Sequence, residues 1–297
     1  MSAALVVLPN FALIVVGLAL ARGFDYGREF WAGLERLVYF VLFPALLFRS
    51  LAIARIDYGA AGVLVACGIA FTVASFGLSV LAGPVLRLER RLLAAGSQCG
   101  YRFNTYIGLA VAGSLFGTQG VALAALLFGA MIPVANFGAV AMLARHGERG
   151  FLAELARHPL VLACVAGYAW NAAGATLPSF ADQTLALLGE SSLPAGLLCV
   201  GAAMRMERGG AAGEGLAHAW WLAVKLVAAP AIAHALARAL SLPATESRVL
   251  VLCAALPTAT NAYILAVRMA GDGRAVATQI TLGTLISMAT LPFWLSV

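Results

Sequence analysis

The sequence predicts an all-α integral membrane protein, with ten transmembrane helices arranged as two inverted repeats of five. The first observation is composition, since 62% of the 297 residues are hydrophobic and 11% are charged, whereas soluble domains carry about 25% charged residues. The second is the recurrence of apolar segments of about 20 residues, the length that crosses a bilayer as a helix. Such segments favour a helical bundle over a barrel, whose strands give alternating segments of about 10 residues. The third is a polar motif that occurs twice and interrupts two of these segments.

Ten apolar windows are the candidate transmembrane helices. They lie near residues 5–21, 34–53, 60–82, 92–117, 120–144, 159–176, 180–204, 218–240, 246–270 and 275–297. The first window is not preceded by basic residues, so we interpret it as a membrane span and not as a signal peptide.

The arginines between the windows predict the orientation, because cytoplasmic loops carry the excess of basic residues. With the N-terminus outside, thirteen arginines fall in five cytoplasmic loops, and four fall on the outer side. Those four are Arg49, Arg55, Arg238 and Arg248. We therefore expect both termini on the outer side of the membrane.

Composition and missing motifs exclude several classes of function. The net charge of +6 comes from basic residues scattered between apolar windows, so we expect a bilayer and not nucleic acid as the partner. The five cysteines lie in apolar windows without metal-ligand spacing and are expected in the core. Neither a phosphate-binding GxxxxGK[ST] motif nor a zinc-binding HExxH motif occurs. We expect no enzyme activity and no cofactor.

The repeated motif divides the chain into two halves. Residues 104–107, Asn-Thr-Tyr-Ile, lie in the fourth window and are echoed by residues 261–264, Asn-Ala-Tyr-Ile, in the ninth. Three further matches occur at an offset of 150 positions, namely Pro9 with Pro159, Gly17 with Gly167 and Pro44 with Pro194. The predicted halves are residues 1–148 and 149–297. Because five spans is an odd number, the second half must insert with opposite topology.

Both copies of the motif predict a helix break. In the ninth window the breaker is Pro257, which lacks an N–H group and crowds the carbonyl four residues earlier. In the fourth window Gly100 and Gly108 flank Asn104 and would supply the freedom instead. A break inside a bilayer leaves backbone groups unpaired unless protein or a water-filled cavity satisfies them, so the breaks predict a cavity.

Two half-helices that begin at such breaks would present N–H groups and positive dipole ends to an anion. Their polar side chains would then cap the half-helices or bond the ligand directly. The alternative is that these side chains only hold neighbouring helices together. The candidate substrate-binding residues are Arg102, Asn104, Thr105, Tyr106, Thr258, Thr260, Asn261 and Tyr263.

Two basic residues, Arg102 and Lys225, lie more than five residues from either end of their windows. Arg102 lies about 16 Å along the fourth window, at 1.5 Å per residue, which is too deep for its charge to reach the interface easily. Its partner is either a transported carboxylate or Glu190 in the seventh window, and the sequence leaves both open. Lys225 lies near the start of the eighth window and is expected to extend to the cytoplasmic face.

These motifs resemble those of the auxin efflux carrier family, which includes plant PIN-type auxin carriers and bacterial transporters of organic anions. The most specific matches are residues 104–109 and 257–263, and the supporting ones are residues 42–47, 193–197 and 283–287. The sequence departs from the family at Ala110, where a proline is frequent, and at Ala262, where plant members carry a second proline. It also lacks their long central hydrophilic loop, so auxin itself is not implied.

The resemblance implies that windows 4 and 9 cross as broken helices, with Asn104 as the crossover asparagine and Pro257 as the crossover proline. Helices 1, 2, 6 and 7 would form a scaffold, and helices 3–5 and 8–10 a transport domain. It also implies that the protein moves a small organic anion across a bacterial inner membrane by alternating access. A homodimer formed through the scaffold is implied as well.

We therefore expect a secondary transporter of a small carboxylate, with Gly108 and Pro257 shaping the crossover. One alternative keeps the fold but couples transport to Na⁺ or H⁺, with Glu190 as the ion-sensitive group. Another is a membrane sensor that binds a ligand without moving it.

Overall fold

The computed structural model describes residues 3–24, 26–54, 58–143, 159–204, 214–268 and 271–297. These residues form helices joined by short connections, and none of them is in a strand. In chain order the helices are α1 Ala3–Gly23, α2 Arg28–Leu37, α3 Phe43–Ala52, α4 Tyr58–Leu86, α5 Arg90–Gly96, α6 Thr105–Leu143, α7 Pro159–Ala172, α8 Ser179–Ala203, α9 Glu214–Ala223, α10 Ala229–Ala239, α11 Ala244–Ala255, α12 Asn261–Arg268 and α13 Gly273–Ser296. π-Helical turns join α2 to α3 (Val38–Leu42) and α9 to α10 (Val224–Ala228), and a 3₁₀ turn, Ser97–Gly100, follows α5.

Within the described ranges, six helical segments are long and apolar enough to cross a membrane. They are Glu29–Ala52, Ala61–Leu86, Arg90–Leu143, Ser179–Ala203, Glu214–Ala239 and Gly273–Ser296. Two shorter apolar helices, Leu8–Gly23 and Pro159–Ala172, accompany them. The expectation of an all-α, multi-pass membrane protein is confirmed, while the count of ten spans and their inverted arrangement stay predictions.

Helix α6 changes direction at a glycine. Its 39 residues would extend about 58 Å if straight, about twice the hydrocarbon thickness of a bilayer. Gly117 has φ 60° and ψ −150°, a conformation that residues with a Cβ atom essentially never adopt. The kink falls at the last residue of the predicted fourth window, just before the fifth.

The chain divides into two compact units. Unit 1 comprises Met1–Ala61, Tyr106–Gly129 and Leu152–Ala203, and unit 2 comprises Gly62–Thr105, Ala130–Phe151 and Met204–Val297. In the described parts of the chain, unit 1 contains α1, α2, α3, α7, α8 and residues 106–129 of α6. Unit 2 contains most of α4, α5, residues 105 and 130–143 of α6, and α9 to α13.

Unit 1 contains two close helix pairs, α1 with α8 and α3 with α7. At the first contact Gly17 lies so near the Leu198 backbone that an added Cβ would overlap the Leu198 carbonyl oxygen. At the second, a Cβ on Gly167 would lie 2.7 Å from the Phe48 carbonyl oxygen. Gly167 and Leu198 follow Gly17 and Phe48 by the same 150 positions. Small residues at both contacts let the helix backbones approach closely, as is common in membranes.

In unit 2 tryptophan side chains join helices through backbone carbonyls. Trp221 of α9 donates from Nε1 to the Ser79 carbonyl of α4 at 3.1 Å. Trp294 of α13 donates to the Leu226 carbonyl at 2.8 Å. That carbonyl lies four residues before Pro230, which has no N–H group to pair with it. The indole therefore satisfies a carbonyl that the proline leaves without a partner.

Candidate functional site

The first helix break lies where the sequence predicted one. After α5 and the 3₁₀ turn, residues 101–104 are not helical, and α6 begins at Thr105. Asn104 directly precedes the helix, a position at which asparagine is favoured. Gly108, by contrast, lies inside the regular helix, so its predicted role as a breaker is corrected. One glycine costs a helix only about 1 kcal/mol, which is too little to interrupt it.

The second break follows from proline chemistry. Helix α11 ends at Ala255, and Leu256 has φ −62° and ψ 143°. The ring of Pro257 disfavours helical geometry at the preceding residue, which accounts for this extended conformation. The chain stays non-helical until α12 begins at Asn261.

Within unit 2 the two breaks are hydrogen bonded to each other. The backbone N–H of Asn104 donates to the Pro257 carbonyl at 2.8 Å. The Thr258 hydroxyl donates from Oγ1 to the Cys99 carbonyl at 2.7 Å. Asn104 and Thr258 are each 2% exposed. One break thus supplies a backbone partner and a hydroxyl partner for backbone groups at the other, as a break at membrane depth requires.

Replacing Thr258 by valine is expected to destabilise the protein by about 1 to 3 kcal/mol, because the buried Cys99 carbonyl loses its donor. The melting temperature, followed by tryptophan fluorescence, should fall by several degrees. Thr184→Val is the matched control, since the Thr184 hydroxyl is exposed and bonds within its own helix, and it should leave the melting temperature nearly unchanged. Equal melting temperatures for the two variants would show that the Thr258 bond contributes nothing.

Arg102 lies in the first break and is 7% exposed. Its guanidinium donates from Nη1 to Gln98 Oε1 at 3.0 Å and from Nη2 to Asn136 Oδ1 at 2.9 Å. Both acceptors are neutral amides. The break therefore carries a buried positive charge in unit 2.

The other predicted binding residues of unit 2 differ in exposure. Thr105, Thr260 and Tyr263 are partly buried. Asn261, the first residue of α12, is exposed, whereas its counterpart Asn104 is buried. The two asparagines of the repeated motif therefore have different surroundings.

Three predicted residues lie in unit 1. Tyr106 stacks on Phe43 with ring centroids 4.6 Å apart. Gly196 leaves room for this pair, since a Cβ there would lie 3.1 Å from the Phe43 ring. Gly108 is buried in α6, and Glu190 is exposed on α8. The role of Glu190 in ion coupling stays a prediction.

Lys225 is a residue that the sequence analysis placed wrongly. It is 2% exposed, and its ammonium donates to the Ala254 carbonyl in the last turn of α11 at 3.0 Å. Helix α11 stops one residue later, so that carbonyl has no regular intrahelical partner. The ammonium therefore binds a helix end instead of extending to the membrane surface. The sequence did contain a sign that Lys225 is unusual, because it is the single lysine among the 19 lysine and arginine residues of the chain.

The family of the chain follows from comparison with known proteins. A family model described as "Membrane transport protein" matches residues 142–295, just over half of the chain. The chain belongs to this family. It is the auxin efflux carrier family that the motifs at the two breaks predicted. The sequence is also similar to a protein of Rhizobium meliloti (strain 1021) named "Putative malonate transporter", with 26% identity over 310 aligned positions that cover 96% of this chain and 92% of that protein.

Proposed function

We propose that this membrane transport protein is a secondary transporter of a small carboxylate of the malonate class in a bacterial inner membrane. The observation that carries the proposal is the pair of hydrogen-bonded helix breaks in unit 2 with Arg102 buried in one of them. The name of the Rhizobium relative supports the choice of substrate.

The charges at the breaks favour an anion. Helices α6 and α12 each begin at a break, where the first N–H groups of a helix and the positive end of its dipole attract negative charge. The Arg102 guanidinium adds a full positive charge and can bind a carboxylate with two parallel hydrogen bonds. The proposed substrate-binding residues are Arg102, Asn104, Thr105, Tyr106, Thr258, Thr260, Asn261 and Tyr263.

The inverted repeat is part of the proposal. It is supported by the contacts of Gly17 with Leu198 and of Gly167 with Phe48. Gly17 of the first half corresponds to Gly167 of the second at an offset of 150 positions, and Phe48 corresponds to Leu198, so the two contacts are equivalent in the repeat. It is supported as well by the breaks that precede α6 and α12. We assign the scaffold to the predicted spans 1, 2, 6 and 7 and the transport domain to the predicted spans 3–5 and 8–10, where the spans are numbered as the ten apolar windows of the sequence. The proposed mechanism is alternating access.

The function is tested by the current from purified protein in liposomes during steps of malonate, succinate and acetate. Wild-type protein is expected to give a malonate current, and Asn104→Ala to reduce it at least ~10-fold, because loss of a hydrogen bond to a charged ligand costs about 1.4 kcal/mol or more. Radiolabelled malonate exchange serves as the readout if transport is electroneutral.

The matched control is Asn10→Ala, whose side chain bonds Ser114 in unit 1 and which should transport normally. Normal transport by Asn104→Ala would show that the site is elsewhere. Absence of both current and exchange for every acid tested, in folded wild-type protein, would reject the proposed substrate class.

A further inference from the structure

Lys225 occupies a position in which a lysine is costly. It lies in the π-helical turn Val224–Ala228 and is 2% exposed. A charged side chain deep in a membrane protein is expensive and commonly marks an ion or substrate path. The other 18 basic residues of the chain are arginines, so a compact ammonium is placed at this one position.

The ammonium lies at the negative end of an interrupted helix. Its hydrogen bond is to the Ala254 carbonyl, three residues before Pro257, and the C-terminal end of a helix carries a partial negative charge. In secondary transporters with broken helices, unwound carbonyls and half-helix C-terminal ends coordinate Na⁺. Lys225 thus supplies positive charge to the kind of group that binds a coupling cation.

Among the residues that the structure describes, no carboxylate forms an ion pair with Lys225. In the described residues the ion pairs are those of Arg49 with Asp182 and of Arg274 with Glu214 and Asp272. The contact that the structure gives the ammonium is its hydrogen bond to the C-terminal end of α11.

We propose that the Lys225 ammonium is a built-in counter-cation that takes the place of a coupling sodium ion at the end of α11. An ammonium suits this role better than a guanidinium because its charge is compact, like that of a sodium ion. The charge of a guanidinium is spread over a planar group with several N–H donors. If the protein transports a carboxylate as proposed above, this transport does not use a sodium gradient.

The test compares melting temperatures of the full chain in detergent at constant ionic strength, in sodium, methylammonium or choline chloride. Lys225→Ala leaves a cavity beside the Ala254 carbonyl that a small cation can enter. We expect sodium or methylammonium to raise its melting temperature by about 2 °C or more over choline, saturably. Lys225→Met fills the same space without charge and should show no difference among the three salts.

Equal melting temperatures of Lys225→Ala in all three salts would overturn the proposal, and so would equal responses of the alanine and methionine variants. If the alanine variant does not fold, the wild-type protein decides. Its melting temperature should be the same in sodium and choline, and a saturable stabilisation by sodium would overturn the proposal.

A transport assay completes the test. Malonate uptake by wild-type liposomes should be unchanged when choline replaces sodium, and uptake that requires a sodium gradient would overturn the proposal. The melting experiments need no substrate, so they still test the counter-cation if malonate is not transported and the proposed function fails.

Discussion

Arg102→Gln is expected to lower malonate uptake at least ~100-fold. Glutamine keeps a neutral donor for Gln98 or Asn136, which accept from Arg102 at 3.0 and 2.9 Å, but removes the charge. Truncating one partner of a buried, hydrogen-bonded charge pair costs about 2 to 5 kcal/mol, and a 100-fold loss corresponds to about 2.7 kcal/mol. Initial rates of radiolabelled malonate uptake at several concentrations measure the effect.

Two comparisons separate substrate binding from structure. Arg238→Gln removes an exposed arginine at the end of α10 and should leave uptake unchanged. Arg102→Lys keeps the charge but loses the fork geometry, so its uptake should lie between those of wild type and Arg102→Gln. If Arg102→Gln melts like wild type and transports at the wild-type rate, Arg102 does not bind the substrate.

Gly17→Ala is expected to lower the stability of the protein, with a fall in melting temperature of about 5 °C or more. The new Cβ would overlap the Leu198 carbonyl oxygen, and a backbone atom cannot move aside without displacing α8 from α1. Overpacking a tight contact typically costs about 1 to 3 kcal/mol, occasionally more. Tryptophan fluorescence during heating measures the effect.

Gly77→Ala is the matched control, because Gly77 lies exposed in α4 with nothing within 4 Å of an added Cβ. Alanine should stabilise that helix by up to about 1 kcal/mol. Gly167→Ala should be destabilising like Gly17→Ala but less so, since its Cβ would lie 2.7 Å from the Phe48 carbonyl oxygen. If the Gly17→Ala variant melted at the same temperature as the Gly77→Ala variant, α1 and α8 would be able to move apart at little cost in free energy.

Membrane class, helical fold and both break positions could be predicted because they depend on local chemistry. An apolar composition excludes a soluble fold, and segment length favours helices over strands. Pro257 lacks the N–H group and restricts the residue before it, so a break was expected there, although other prolines such as Pro133 and Pro194 lie inside helices. The repeat of Asn104 at Asn261 identified the other break, and the motifs around both indicated the family.

Only the tertiary structure decided the contacts that join residues distant in sequence. Lys225 was expected at the membrane surface, but the buried C-terminal end of α11 lies within reach and binds the ammonium. Gly108 was expected to break a helix, yet a single glycine is tolerated where packing supports the helix on both sides. The partners of Arg102 and the approach of Gly17 to Leu198 likewise depend on which helices are neighbours. Periodicity and propensity report on one helix at a time, whereas a buried charge or a close glycine is determined by the surface that packs against it.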